Sequence, residues 1–106
     1  MDPEHRLMNE VCIWCGSNGY LSFRTNAGTF LSADGSHYVK GLPQGFPDLL
    51  ILRPDGKACF VETKIHPRKA TPEQERFIAL VKSMGYRAGV AYTVDDARKI
   101  IEDDIK

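Results

Sequence analysis

Two short apolar runs, Leu-Leu-Ile-Leu at 49–52 and Ala-Cys-Phe-Val at 58–61, are separated only by Arg53-Pro54-Asp55-Gly56-Lys57. A gap this short, with this composition, predicts a tight β-hairpin. Proline fixes the first turn position and glycine accepts a positive φ, so Pro54-Asp55-Gly56 reads as a three-residue loop in which a type I turn is followed by left-handed glycine. In that register Arg53 pairs with Lys57, Leu52 with Ala58 and Leu50 with Phe60, and Asp48 falls opposite Glu62. A two-residue loop would instead oppose Asp48 to Thr63 and send the two acids to different faces, because strand side chains alternate with period two. Neither apolar run alternates with polar residues, so both faces of both strands are expected to be covered, and the strands should be central in their sheet.

Directly opposed side chains have their Cβ atoms about 5 Å apart, and like charges so placed destabilise a sheet. Something must compensate Asp48 and Glu62. Lys64 projects from the same face as Glu62 and offers one positive charge. A divalent cation offers two, and hard cations such as magnesium take carboxylate, carbonyl and water oxygens, so the backbone carbonyl of Thr63 is a further candidate ligand. The purely structural account is a salt-bridge cluster at the sheet edge. Three features favour chemistry over that account. The Gly- and Pro-rich stretch 41–47 delivers Asp48 to a fixed place, Lys64 opens a basic run through His66, Arg68 and Lys69, and Gln74 stands at the start of the next helix.

The flanking chain supplies the cover. Asp2-Pro3 is an N-cap followed by proline at the first helical position, and Leu7, Met8, Val11, Cys12, Trp14 and Cys15 form a helical stripe that Gly16 is expected to stop. Glu10 lies on the flank of that stripe, where position alone favours a solvated glutamate, and Glu4 sits in the first turn, where a carboxylate suits the helix dipole. Residues 20–24 and 29–39 predict two or three antiparallel strands, with a break at Thr25-Asn26-Ala27-Gly28 and a turn at Asp34-Gly35. Thr71-Pro72-Glu73-Gln74 opens a helix by capping box and proline, with Phe77, Ile78, Val81 and Met84 as its buried stripe and Gly85 as its stop. Ala88, Val90 and Tyr92 predict a strand, and Thr93 to Asp96 a last helix carrying Ala97, Ile100 and Ile101.

At 106 residues the chain is expected to form a single domain over 1–106. Fourteen basic and fourteen acidic residues cancel, so any basic surface must be local, and no apolar run approaches membrane-spanning length. The polar start Met1-Asp2-Pro3-Glu4-His5-Arg6 lacks the features of a signal peptide, and an odd count of three cysteines predicts reduced thiols and a cytoplasmic location. Cys12-x-x-Cys15 lies inside the helical pattern, and no second Cys or His pair completes a tetrahedral zinc set.

Pro47-Asp48, Glu62-Thr63-Lys64 and Gln74 together resemble the PD-(D/E)xK nuclease signature, and Gly45-Phe46-Pro47-Asp48 followed by Thr71-Pro72-Glu73-Gln74 is similar to its VRR-Nuc branch. The resemblance implies an α/β fold of the restriction-endonuclease type, a mixed sheet flanked by helices in the order α-β-β-β-β-β-α-β-α. It implies Mg²⁺ or Mn²⁺ held by Asp48, Glu62 and the Thr63 carbonyl, with Lys64 and Gln74 completing the catalytic set. It also implies a glutamate from the first helix, for which Glu10 is the matching position. The implied activity is hydrolysis of phosphodiester bonds in branched DNA such as Holliday junctions, by a homodimer. Arg24, Lys40, His66, Arg68 and Lys69 are the candidate phosphate contacts. The alternative is a catalytically silent DNA-binding or protein-interaction domain that keeps the fold.

Overall fold

A computed structural model of the chain describes residues 2–25 and 29–105. Its elements run α1 (Pro3–Ser17), β1 (Leu21–Arg24), β2 (Thr29–Leu31), β3 (Tyr38–Lys40), β4 (Leu49–Leu52), β5 (Ala58–Thr63), α2 (Pro72–Ser83), β6 (Arg87–Ala91) and α3 (Val94–Glu102), the order expected from the sequence. Four strands make one sheet in the order β1-β4-β5-β6, and β2 pairs with β3 in a separate two-stranded sheet. The break anticipated at Asn26, Ala27 and Gly28 lies outside the described residues.

The hairpin has the predicted register. Leu52 stands opposite Ala58, Leu50 opposite Phe60 and Leu49 opposite Val61. Gly56 takes φ 88°, and its N–H bonds the Arg53 carbonyl at 3.0 Å, while the Arg53 N–H bonds the Lys57 carbonyl at 2.9 Å. β4 and β5 are central, as two apolar runs require, and the sheet is mixed because β6 joins β5 in parallel through α2.

Each helix starts where a side chain satisfies its exposed amides. Asp2 accepts from the His5 N–H, and Thr93 from that of Asp96. Thr71 and Gln74 form the full reciprocal box, at 3.2 and 2.8 Å. On one face of the sheet α1 and α3 enclose the main core, which joins Leu7, Val11 and Cys15 to Leu49, Ile51, Cys59, Val61 and Ile101. On the other face Phe60 meets Phe46, Phe77 and Tyr86 with ring centroids within 5.9 Å, and α2 packs there.

Three expectations are corrected. Helix α1 passes through Gly16 and ends at Asn18, because Gly19, not Gly16, supplies the left-handed residue at φ 81°. Met84 is 65% exposed: α2 ends at Ser83 and Met84 is its C-cap, leaving Val81 as its one buried residue among those described. Among the described residues α2 covers the β5–β6 half of the outer face, and Leu21, Phe23 and Leu52 of β1 and β4 remain open to solvent.

One glycine of the 41–47 loop is required by both conformation and space. Gly45 has φ 92°, and a Cβ there would lie 2.9 Å from the Glu73 carbonyl oxygen at the start of α2. Gly45→Ala should therefore destabilise the fold by about 1–3 kcal/mol and displace Asp48, three residues on. Thermal unfolding measures the first effect; an unchanged melting temperature contradicts it.

Candidate active site

Asp48 is fixed before its side chain is considered. The Thr25 N–H bonds the Asp48 carbonyl at 2.9 Å, and the Thr25 hydroxyl donates to the carbonyl of buried Pro47. The Asp48 N–H donates to Glu62 Oε1 at 3.2 Å, which ties the two strands together at the register the turn dictates. The Asp48 carboxylate takes two bonds on Oδ2, from the Thr63 N–H at 3.0 Å and the Thr63 hydroxyl at 2.8 Å. Thr63 thus clamps the acid with its amide and its hydroxyl, a role its side chain did not announce.

Glu62 is almost wholly buried, at 1% exposure. Its Oε2 accepts from Gln74 Nε2 at 3.0 Å and lies 3.5 Å from Lys64 Nζ. Gln74 does both things the sequence offered for it, since Oε1 closes the capping box while Nε2 reaches the acid. Burial pushes the Glu62 carboxyl up to about 8, the Asp48 charge adds to the rise, and the Lys64 ammonium opposes it. A buried carboxyl, held at both oxygens and resisting ionisation beside a second acid, is a group waiting for positive charge.

A cavity of about 510 Å³ opens beside Asp48. Glu4, His5, His66 and Arg68 line it together with Asp48, and Arg68 reaches across to Glu4 at 3.6 Å. Glu62 and Lys64 are buried and do not line this cavity. A smaller recess on the other flank, of about 280 Å³, joins Asp48 to Gln44, Thr71 and Gln74. Asp48 is therefore the shared wall of two openings.

Asp48, Glu62, Thr63, Lys64 and Gln74 are brought together as the sequence suggested. Glu10 is not. It is exposed and lines a different recess, with Arg6, Thr93 and Val94. Glu4 stands at the Asp48 cavity in its place. The signal was available in the helical phase: Glu4 falls on the line of Leu7, Met8 and Val11, while Glu10, six residues later, is turned about 120° away around the axis. Of the candidate phosphate contacts, His66 and Arg68 line the cavity, whereas Arg24, Lys40 and Lys69 are exposed elsewhere on the surface. His5 joins the cavity without having been anticipated.

Among the described residues no group of three or more His, Cys, Asp or Glu side chains is gathered closely enough to hold a metal by itself. The donor set that is present, two opposed carboxylates with a third near by, suits a hard cation that keeps several waters. It does not suit zinc or thiol chemistry. Cys15 is fully buried and its thiol is pushed up to about 12, first by that burial. No helix among the described residues is long and apolar enough to cross a membrane.

Comparison with known proteins places this geometry. No curated protein matches the chain. A solved structure described as a VRR_NUC domain superposes with a TM-score of 0.66 at 26% sequence identity, covering 92% of this chain and 92% of the other. The chain's mixed sheet with flanking helices is thus an α/β nuclease-like core. The family model for the VRR-NUC domain matches residues 22–95, from β1 through the start of α3 and across every strand that carries the acids. The chain belongs to the VRR-NUC domain family.

Proposed function

We propose that the chain is a divalent-metal-dependent endodeoxyribonuclease that hydrolyses phosphodiester bonds in branched DNA. The observation that carries this reading is the buried carboxyl of Glu62, bound to the backbone N–H of Asp48, which lines the cavity, and paired with Lys64. Asp48, Glu62 and the Thr63 carbonyl would hold Mg²⁺ or Mn²⁺, and Glu4 would complete the set from α1. Such an ion polarises a phosphate oxygen and lowers the pKa of a bound water. The chain's own groups do the rest. Thr63 keeps the Asp48 carboxylate aimed, Gln74 keeps that of Glu62, and the Lys64 ammonium faces the charge that develops on the phosphate. Arg68 and His66 at the cavity would bind the strand being cut, with Arg24, Lys40 and Lys69 contacting phosphates farther out, since the neutral chain has no general attraction for DNA.

A homodimer would double the basic surface and offer two sites to a symmetric junction. The open apolar surface of Leu21, Phe23 and Leu52 is a face that a second copy could cover.

The test is a cleavage panel of four-way junctions, flaps, single strands and linear duplex with Mg²⁺ or Mn²⁺. The parent should cut a branched DNA, and Asp48→Ala should cut nothing. Glu4→Gln should slow cleavage at least about tenfold more than Glu10→Gln, the loss expected when a metal-orienting group is removed. Equal activity of Asp48→Ala and parent on a branched DNA would mean a domain that only binds.

A further inference from the structure

The cavity beside Asp48 is larger, and more apolar on one side, than contact with a phosphate needs. Its volume of about 510 Å³ falls in the range of small-ligand pockets, ~300–1,000 Å³. Pro3 and Met8 of α1 and Ile65 and Pro67 of the loop after β5 form an apolar wall. Neither phosphate nor a hydrated ion gains anything from such a wall.

His66 also lines this cavity, and its ring is held in a fixed plane. It stacks on Tyr92 with centroids 3.9 Å apart and planes 8° from parallel. Tyr92 is itself anchored, since its hydroxyl donates to the Arg68 carbonyl at 2.9 Å, and it lines the neighbouring recess with Glu10, not this one. The imidazole thus has one face on Tyr92, and the residue is exposed and lines the cavity. A flat ring supported from behind, exposed in front and adjacent to a phosphate-cutting site is suited to stack a nucleobase, whatever its identity. Of the polar members of the lining, His5 offers a partner for the edge of that base, since Glu4 and Arg68 serve the metal and the strand.

We propose that this cavity receives one unpaired nucleobase, stacked on the face of His66 turned away from Tyr92, next to the phosphate bound at Asp48. The inference rests on the nuclease reading for the position of the phosphate. It adds the feature of DNA that the site selects: a nucleotide already out of its base pair, as found at bulges, flaps and junction centres. Fully paired duplex must first lose a pair, which costs a few kcal/mol, and is disfavoured for that reason.

The experiment uses three short duplexes of one sequence, bearing a single bulged 2-aminopurine, a bulged abasic residue at the same place, or no bulge. Binding is measured without divalent ions and cleavage with Mn²⁺. The parent should bind the bulged base about tenfold more tightly than the abasic residue, the worth of one base stack, and should quench 2-aminopurine fluorescence on binding. In His66→Ala the base-to-abasic ratio should fall to near one and the quenching should disappear, and His66→Phe, which keeps a flat ring, should restore both. Thermal unfolding of each variant verifies that the comparison is between folded proteins. If the parent binds base and abasic DNA equally, or His66→Ala keeps the ratio, the pocket proposal is overturned while the nuclease reading stands. If the parent discriminates in binding yet cuts none of the three, nor any DNA of the panel above, the pocket stands and the nuclease reading falls.

Discussion

Glu62→Gln is expected to raise the melting temperature at pH 8 and to abolish metal-dependent cleavage in the same molecule. The carboxyl titrates near 8 in the folded chain, against an ordinary value of 4.5, because burial and the Asp48 charge both penalise its ionised form. When a folded-state acid is raised in this way, the unfolded chain gives up its proton first. Stability is then greatest below the unfolded value and is lost as pH climbs from about 4.5 to about 8. Glutamine has no proton to lose, and its amide oxygen can still accept from the Asp48 N–H. The variant should match the parent near pH 5 and exceed it by about 5 °C or more at pH 8, each kcal/mol being worth ~4–8 °C in a domain of this size. Manganese should reverse the order at pH 8, because a divalent cation favours the ionised carboxylate that only the parent has. Cleavage by the variant should fall by at least about a hundredfold. A stability difference that stays flat across this pH range, or a variant that melts below the parent at pH 8 without metal, would show that Glu62 is simply a paired structural acid.

The hairpin was the most legible part of the molecule, because turn chemistry and apolar continuity point to one register and nothing in the tertiary structure competes with them. The caps at Asp2, Thr71 and Thr93 were legible for the same reason, since each depends on residues no more than three apart. Longer-range features were less so. Met84 has the helical phase of a buried residue, but phase does not say where a helix ends, and α2 ends at Ser83 with Met84 as its cap. Leu52 belongs to an apolar run, yet whether a second layer covers its face depends on where α2 packs, two elements later. The site shows the same division. Asp48, Glu62, Thr63, Lys64 and Gln74 meet through one hairpin and one capped helix start, whereas the glutamate from α1 depends on how that helix is rotated about its axis. The buried stripe contains that rotation, and it points to Glu4. The resemblance gave Glu10 as the matching position, and the structure places Glu4 at the Asp48 cavity and Glu10 at a different recess.

Arg53→Ala should destabilise the fold by about 1–3 kcal/mol, the cost of leaving a buried carbonyl without its donor, while leaving the response to metal intact. Arg53 follows β4 directly and is 7% exposed, at the end of the strand away from Asp48. Its guanidinium donates to the Ile101 carbonyl at 2.9 Å and to Asp104 at 2.6 Å, and also binds the Asp55 carboxylate. Asp104 in turn receives Lys57 at 3.1 Å and lies 3.5 Å from Arg87. One planar side chain therefore joins the hairpin turn to the end of α3, and Asp104 adds the start of β6. Alanine would leave the buried Ile101 carbonyl without its donor and would remove from Asp104 the hydrogen bond that most lowers its carboxyl. Lysine keeps the charge but lacks the fork that serves two carboxylates and a carbonyl together, so Arg53→Lys should recover only part of the loss. Asp55 and Asp104 are both partly solvated, which keeps the effect below that of a fully enclosed network. Denaturant unfolding measures the loss, and the melting-temperature rise on adding Mn²⁺ measures the site. A loss under about 1 kcal/mol would place Arg53 among ordinary surface pairs. A loss accompanied by an abolished metal response would mean that the two ends of β4 are coupled, and that the register set at the turn is maintained from this end as well.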